Sequence, residues 1–382
     1  MNSPFAQPAI TDSPMDQRVA KADGQSAATD TVVASFDVHY RRYLDPKGQL
    51  IGPAPAFAKD RDVMLSLYRA MTLTRTFDYK AVALQRTGQI GTYPSCLGQE
   101  AVGVGYASVM TDRDVMFTTY REQAAQLWRG VTIKELLQYW GGDERGCDYA
   151  VPREDFPVAV PIASQAPHAV GAATAFKLRG EQRVAVCALG DGASSKGDFY
   201  ESINLAGVWK LPAVFIVINN HWAISLPLEE QTATETLAQK AIAAGIPGIQ
   251  IDGNDIIAVR QVCGEAMERA RKGEGATVIE AFTYRMGDHT TADDATRYRK
   301  DEHISAAWKI DPLARLRTYL GAQGWWTKED EEKLIAECKQ KIEAAVVEYS
   351  AIPPPKPESM FDHLFETLPP ALAWQRKKLV GG

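Results

Sequence analysis

Between residues 61 and 87 the apolar side chains Val63, Leu67, Met71, Phe77, Ala81 and Leu84 recur at the spacing of one helical face. Gly88 follows as a natural stop. A second helix of small residues is expected over Ala101–Met110, and a third over Gln123–Trp140. Pro152, Pro157 and Pro161 break any regular pattern between Asp143 and Ile162, which reads as loop. Ser164–Arg179 reads as a further helix, rich in Ala and Gly and able to pack closely. The pattern then changes to short apolar runs alternating with helical stretches. Val184–Leu189, Ala213–Ile218, Ile249–Asp252 and Val278–Thr283 are the expected strands, with helices near Gly197–Trp209, Leu237–Ala244 and Ile256–Lys272. Strands separated by helices form βαβ units, so the expected fold class is α/β, a parallel sheet flanked by helices. Helices resume after Asp311 in PLARLRTYL and KEDEEKLIAECKQKIEAAVVEYS. The prolines 353–355 lead into an apolar tail, MFDHLFETLPP, expected to pack on the domain or on a partner chain.

Residues 1–32 are poor in large apolar groups and read as a flexible arm. The expected division is an arm over 1–35, an α/β domain over 36–310 and a helical, subunit-contacting extension over 311–382. A chain of 382 residues, 45% hydrophobic and 24% charged, can bury a sizeable core. Its net charge of −6 argues against nucleic acid as the main partner. The five cysteines show no CxxC or Cys/His spacing, so neither a disulfide framework nor structural zinc is expected. No apolar run reaches membrane-spanning length, and the first thirty residues lack the core of a signal peptide and the arginines of a transit peptide. The expected location is the cytoplasm of a bacterium.

Two of the strand runs end on polar residues. Val184–Leu189 leads into Gly190-Asp191-Gly192, and Ala213–Ile218 into Asn219-Asn220, with the 26 residues 193–218 between the two groups. Ligands of parallel sheets gather beyond the carboxyl ends of the strands. Adjacent strands would place Asp191 and Asn220 together there. A carboxylate, an amide oxygen and a backbone carbonyl suit a hard divalent ion that completes its shell with phosphate and water. The glycines permit close approach of a phosphate, and a helix after the turn would offer free N–H groups. A plain turn or cap reading of both pairs stays open at this point. No GxGxxG follows the first strand, since GEGATV precedes a strand and GVGYAS lies within a helix, and no GxxxxGK[ST] occurs.

The 190–225 stretch, GDGASSKGDFYESINLAGVWKLPAVFIVINNHWAIS, resembles the thiamine-diphosphate-binding motif. Together with GTYPSCLGQEA, TYREQAAQLWRG and YRMGDHTTADDATRYRK, it is similar to the α subunit of the E1 component of 2-oxo acid dehydrogenase complexes. The resemblance runs from about Phe36 to the C-terminus. It implies a thiamine-diphosphate-binding fold and two cofactors, thiamine diphosphate and Mg2+. It implies Asp191 and Asn220 as side-chain metal ligands and Trp222 as a carbonyl ligand. Tyr120 and Arg121 would contact the diphosphate, Gly192 and Ala193 would meet it through backbone, and Ile162 would sit near the aminopyrimidine. His289 would be the catalytic group near the diphosphate and the reacting carbon, titrating near neutrality. One relative's pattern has an arginine where this chain has Ile218, so that contact is not expected. Asp293, Tyr298 and Arg299 are expected to order the His289 loop by ion pairing. His168 is expected to be a packed helix residue, and Glu100 a structural or interface group. Ser164 and Gln165 partly match a potassium-binding stretch, but its first position is Ala159.

Only one cofactor-binding α/β domain can be read along the chain. The resemblance implies that a β subunit supplies the other in an α2β2 tetramer. The pair would decarboxylate a 2-oxo acid and pass the acyl group to the lipoyl group of an E2 acyltransferase. The wording of residues 74–101 and GIPGIQIDGND is closer to pyruvate-type chains, with branched-chain 2-oxo acid and acetoin types as alternatives. A non-catalytic cofactor-binding or regulatory subunit is the alternative of another class.

Overall fold

The computed structural model describes residues 32–381, so most of the expected arm lies outside the described residues. From His39 onward the chain forms one unit. It opens with β1 (His39–Arg41) and the long helix α1 (Arg61–Arg86), where Asp60 caps the N–H groups of Asp62 and Val63. The helix stops as expected, before Gly88 at φ +74. Helix α2 (Glu100–Ala107) is buried on every side. It is followed by β2 (Val115–Phe117).

The single helix expected over Gln123–Trp140 is two, α3 (Gln123–Trp128) and α4 (Ile133–Trp140). Gly130 turns the chain at φ +100, and a reciprocal capping box between Thr132 and Glu135 starts the second helix. Helix α5 (Gln165–Arg179) tolerates Pro167 because it sits in the first turn, where no intrahelical N–H bond is lost.

The chain then runs through β3 (Ala185–Gly190), α6 (Gly197–Val208), β4 (Ala213–Asn219) and a small hairpin of β5 (Trp222–Ala223) and β6 (Leu226–Pro227). Short helices α7 (Leu228–Gln231) and α8 (Lys240–Ala243) precede β7 (Gly248–Asp252), α9 (Ile256–Arg271) and β8 (Thr277–Phe282). Helices α10 (Asp301–Trp308), α11 (Pro312–Ala322), α12 (Lys328–Ser350) and α13 (Pro370–Val380) complete it.

Six strands form one parallel sheet in the order β1-β7-β8-β4-β3-β2. Along β3, Cys187 and Leu189 enter the core under α5 and α6, whereas Val186 and Ala188 enter the core under α2 and α9. This alternation buries both faces and explains the continuous apolar runs in sequence. Each fully buried Val, Ile or Phe contributes roughly 1.5–3 kcal/mol. Because β3 and β4 are neighbours, with Gly190 opposite Ile218, their polar ends emerge side by side. Helices α11 and α12 pack on α1, and Arg75 of α1 is buried between Glu100 and Asp311. In the tail Phe361 is buried, while Leu364 and Phe365 stay more than half exposed.

Candidate functional site

A cavity of about 210 Å³ opens where β3 and β4 end. Its lining brings together Tyr120, Arg121, Ile162, Asp191, Gly192, Ala193, Asn220, Trp222 and His289, the residues expected to hold the cofactor and the metal. Asp191 opens a 3-10 turn over Asp191–Ser195, and α6 begins at Gly197, where the helix is expected. The Asn pair divides its work. Asn219 is fully buried and donates to Glu280 Oε1 at 2.7 Å, which anchors the end of β4. Asn220 reaches the cavity, its Oδ1 accepting from the Trp222 N–H at 3.2 Å and its Nδ2 facing Gln99 Oε1 at 3.5 Å. His221 at φ 71 and Ile224 at φ 58 bracket Trp222 in left-handed backbone, a conformation that a β-branched residue adopts only under constraint.

His289 stands on the opposite wall. Its ring meets that of Tyr120 edge-on at 5.9 Å, and its Nδ1 faces both Arg121 Nη2 (3.3 Å) and Arg285 Nη1 (3.4 Å). Two guanidinium donors at one ring nitrogen make Nδ1 the acceptor and leave the proton on Nε2. Burial, then the charges of Arg121 and Arg285, lower the imidazole pKa to about 4. The expectation of a group titrating near neutrality is therefore corrected: in this environment His289 is a neutral hydrogen-bond donor. Its loop is ordered mostly by hydrogen bonds rather than ion pairs. Asp293 accepts from the His289 N–H at 2.9 Å and from the Tyr298 hydroxyl. Arg299 donates to the carbonyls of Arg285 (2.5 Å) and Met286 (3.2 Å).

The charges around the cavity are unbalanced. Asp191 is 2% exposed, and among the described residues it makes no salt bridge; its side-chain donor is Gln231 Nε2 at 2.7 Å. Burial pushes its pKa up, and Gln231 and backbone N–H groups pull against that. Arg121, Arg285 and Arg299 are also buried, and their recorded partners are carbonyls, a hydroxyl and an imidazole rather than carboxylates. Burial and the neighbouring Arg121 charge lower the Arg285 pKa to about 10. Gln99 Nε2 and Gln165 Oε1 are buried without partners beside the same space. Of the two carboxylates at the cavity, Glu122 accepts from the hydroxyls of Tyr106 (2.9 Å) and Thr119 (3.1 Å), while Asp191 on the other side has only its amide donor; with the guanidiniums opposite, that arrangement fits a cation bound to a diphosphate. Among the described residues no three His, Cys, Asp or Glu side chains gather as a metal cluster, so an ion here depends on Asn220 and a carbonyl beside Asp191.

Residues that the sequence reading missed are Arg285, Gln231 and Gln99, all neighbours of motif residues but without a periodic signal of their own. His168 is exposed on α5, its ring 5.7 Å from that of Phe156, so the packed-residue expectation does not hold. Glu100 is fully buried against Arg75, a structural role.

Residues 68–358 match the family described as dehydrogenase E1 component. The chain belongs to that family. It is 41% identical over 340 residues to the 3-methyl-2-oxobutanoate dehydrogenase subunit alpha of Mycobacterium tuberculosis, covering 87% of this chain and 92% of the relative. It is 41% identical over 299 residues to the pyruvate dehydrogenase E1 component subunit alpha of Acholeplasma laidlawii (78% and 87% covered). Identity to the same subunit of Bacillus subtilis is 38% over 328 residues (85% and 88%). The E1 family depends on thiamine diphosphate, and the chain is an E1 α subunit, part of an oxidoreductase acting on 2-oxo acids.

Proposed function

We propose that this chain holds Mg2+ and thiamine diphosphate at the β3–β4 edge. In that role it joins a β subunit in an α2β2 assembly that decarboxylates pyruvate and delivers the acyl group to a lipoyl-bearing E2. The observation that carries the reading is the buried Asp191, which makes no salt bridge among the described residues, on the same cavity as Arg121, whose guanidinium is held by carbonyls. Asp191, Asn220 and the Trp222 carbonyl would hold the metal; Tyr120 and Arg121, with the backbone of Gly192 and Ala193, would hold the diphosphate. When bound, the cofactor supplies the carbanion chemistry of decarboxylation. The chain's own groups bind, orient and exclude water. Arg121, fixed by the carbonyls of Ser95 (2.5 Å) and His289 (2.8 Å), presents a preorganised positive charge. His289, which burial and the charges of Arg121 and Arg285 keep neutral in the cofactor-free chain, would offer its Nε2 proton as a hydrogen bond to the bound cofactor. Ile162 and Trp222 contribute apolar surface that lowers the local dielectric.

The small apolar lining of Ala159, Ile162, Ala163 and Ile224 suits a short acyl group. Several curated relatives are named for pyruvate. A branched substrate, 3-methyl-2-oxobutanoate, is the second reading, favoured by the name of the Mycobacterium tuberculosis relative. A site of this kind, on a chain with no helix long and apolar enough to cross a membrane among the described residues, accords with work in the bacterial cytoplasm. The test is reconstitution with the β subunit, Mg2+ and thiamine diphosphate, followed by dye reduction with each 2-oxo acid. A higher kcat/KM for pyruvate supports the first reading, and the reverse order selects the second. Asp191→Ala should abolish Mg2+-dependent cofactor binding with the fold intact; undiminished affinity would overturn the metal assignment.

A further inference from the structure

We propose that Gln231 is a positioning residue that aims Asp191 at the metal and latches the 222–231 strap over it. The inference rests on the site reading above and goes beyond it by assigning a residue that touches neither cofactor. Gln231 closes α7, the short helix after the β5–β6 hairpin. Its Nε2 donates to Asp191 Oδ2 at 2.7 Å and to the Leu226 carbonyl at 3.1 Å. Both partners are acceptors, so only the NH2 end of the amide can face them, and the orientation is chemically determined. Its Oε1 is buried without a partner, so the side chain accepts a cost to keep its donor on Asp191.

The consequence is geometric and electrostatic. A neutral donor on Oδ2 fixes the carboxylate without neutralising it, so its negative charge stays available to a divalent cation. Of the other two proposed metal ligands, Trp222 begins the strap and Asn220 precedes it by two residues, while Gln231 stands at its far end. Cross-ties hold its left-handed backbone: the Leu228 N–H donates to the His221 carbonyl (3.0 Å) and Arg285 Nη2 to the Ile224 carbonyl (2.7 Å). The strap lies directly on the 190–192 turn, because a Cβ at Gly192 would stand 2.7 Å from Ala223 Cβ. Metal binding and strap closure thus meet at one hydrogen bond.

The experiment uses the α2β2 assembly and reads two quantities besides activity: the Mg2+ Kd at saturating thiamine diphosphate, by calorimetry, and the rate of proteolytic cleavage in 222–231 without metal. Gln231→Met keeps length and volume but loses the donor; it should weaken Mg2+ binding about tenfold or more and speed cleavage. Gln231→Lys restores a donor but neutralises Asp191; it should keep the strap protected and still lose Mg2+. That split between the two variants is one a merely structural role would not produce. A wild-type Kd in Gln231→Met, with Asp191→Ala losing Mg2+, overturns the inference alone. Retained Mg2+ binding in Asp191→Ala overturns the site reading and the inference with it. Where Gln231→Met fails to fold, Gln231→Lys decides: wild-type Mg2+ affinity in it overturns the inference.

Discussion

At the residue scale, function and stability pull Asp191 in opposite directions. Burial raises its pKa in the folded chain above 3.8. Between 3.8 and that raised value the folded state binds more protons than the unfolded one, so stability falls as pH rises through the window. The full cost is then present at neutral pH in the absence of metal. Asp191→Asn should therefore raise the melting temperature of the metal-free protein. The gain should be of order 1 kcal/mol, or roughly 2 °C, and Mg2+ should no longer raise it further. Scanning calorimetry with and without Mg2+ checks both halves. His289 carries the opposite sign. Its folded pKa of about 4 lies below the ordinary 6.5, so its contribution is complete above 6.5 and is lost as pH falls toward 4. Histidine NMR of the cofactor-free assembly should show the His289 ring still neutral at pH 5.5. His289→Gln should remove that resonance and flatten the loss of stability between pH 6.5 and 4.

At the element scale, what sequence could say depended on how many residues voted. The runs that became β3 and β4 are unbroken apolar stretches, β7 alternates Ile249 and Ile251 with polar residues, and β8 is apolar but for Thr277 and Glu280; each was legible. Strands β1 and β2, of three residues each, hold too few positions for an alternation to show. The apolar period of α3 continues into α4 in phase, so only Gly130 and the Thr132–Glu135 box betray the break. The motif GVGYAS, dismissed as a dinucleotide loop, has a packing explanation. A Cβ on Gly103 would stand 2.6 Å from Ala124 Cβ, and one on Gly105 would stand 2.5 Å from Val259 Cγ1. The glycines let α2 approach α3 and α9 more closely than any side chain allows. Gly105→Ala should cost about 1–3 kcal/mol by overpacking, despite the better helix propensity of alanine. Thermal melts should record the loss, while the Mg2+ Kd stays near wild type because β4 is not displaced.

At the scale of the whole molecule, the site is open on one side. Ile162 and Ile224 lie at the cavity, 44% and 55% exposed, next to buried charged groups. A cavity of about 210 Å³ is smaller than the roughly 300–1,000 Å³ that usually encloses a ligand of cofactor size. The sequence made the same point differently, by carrying strands for a single α/β unit, yet strand counting does not say which face is left uncovered. That depends on which loops surround β3 and β4, and the proline-broken 143–162 segment and the strap gave no periodic signal by which to place them. If a β subunit closes the cavity, backbone amides at 159–164 and 222–226 should exchange hydrogen markedly more slowly in the α2β2 assembly than in the isolated chain. Amides in the β3–β4 core, already protected, should not change. The isolated chain with Mg2+ and thiamine diphosphate should show no decarboxylation, and addition of β should restore it in step with the loss of exchange. Activity of the isolated chain equal to that of the assembly would mean that these residues close the site unaided.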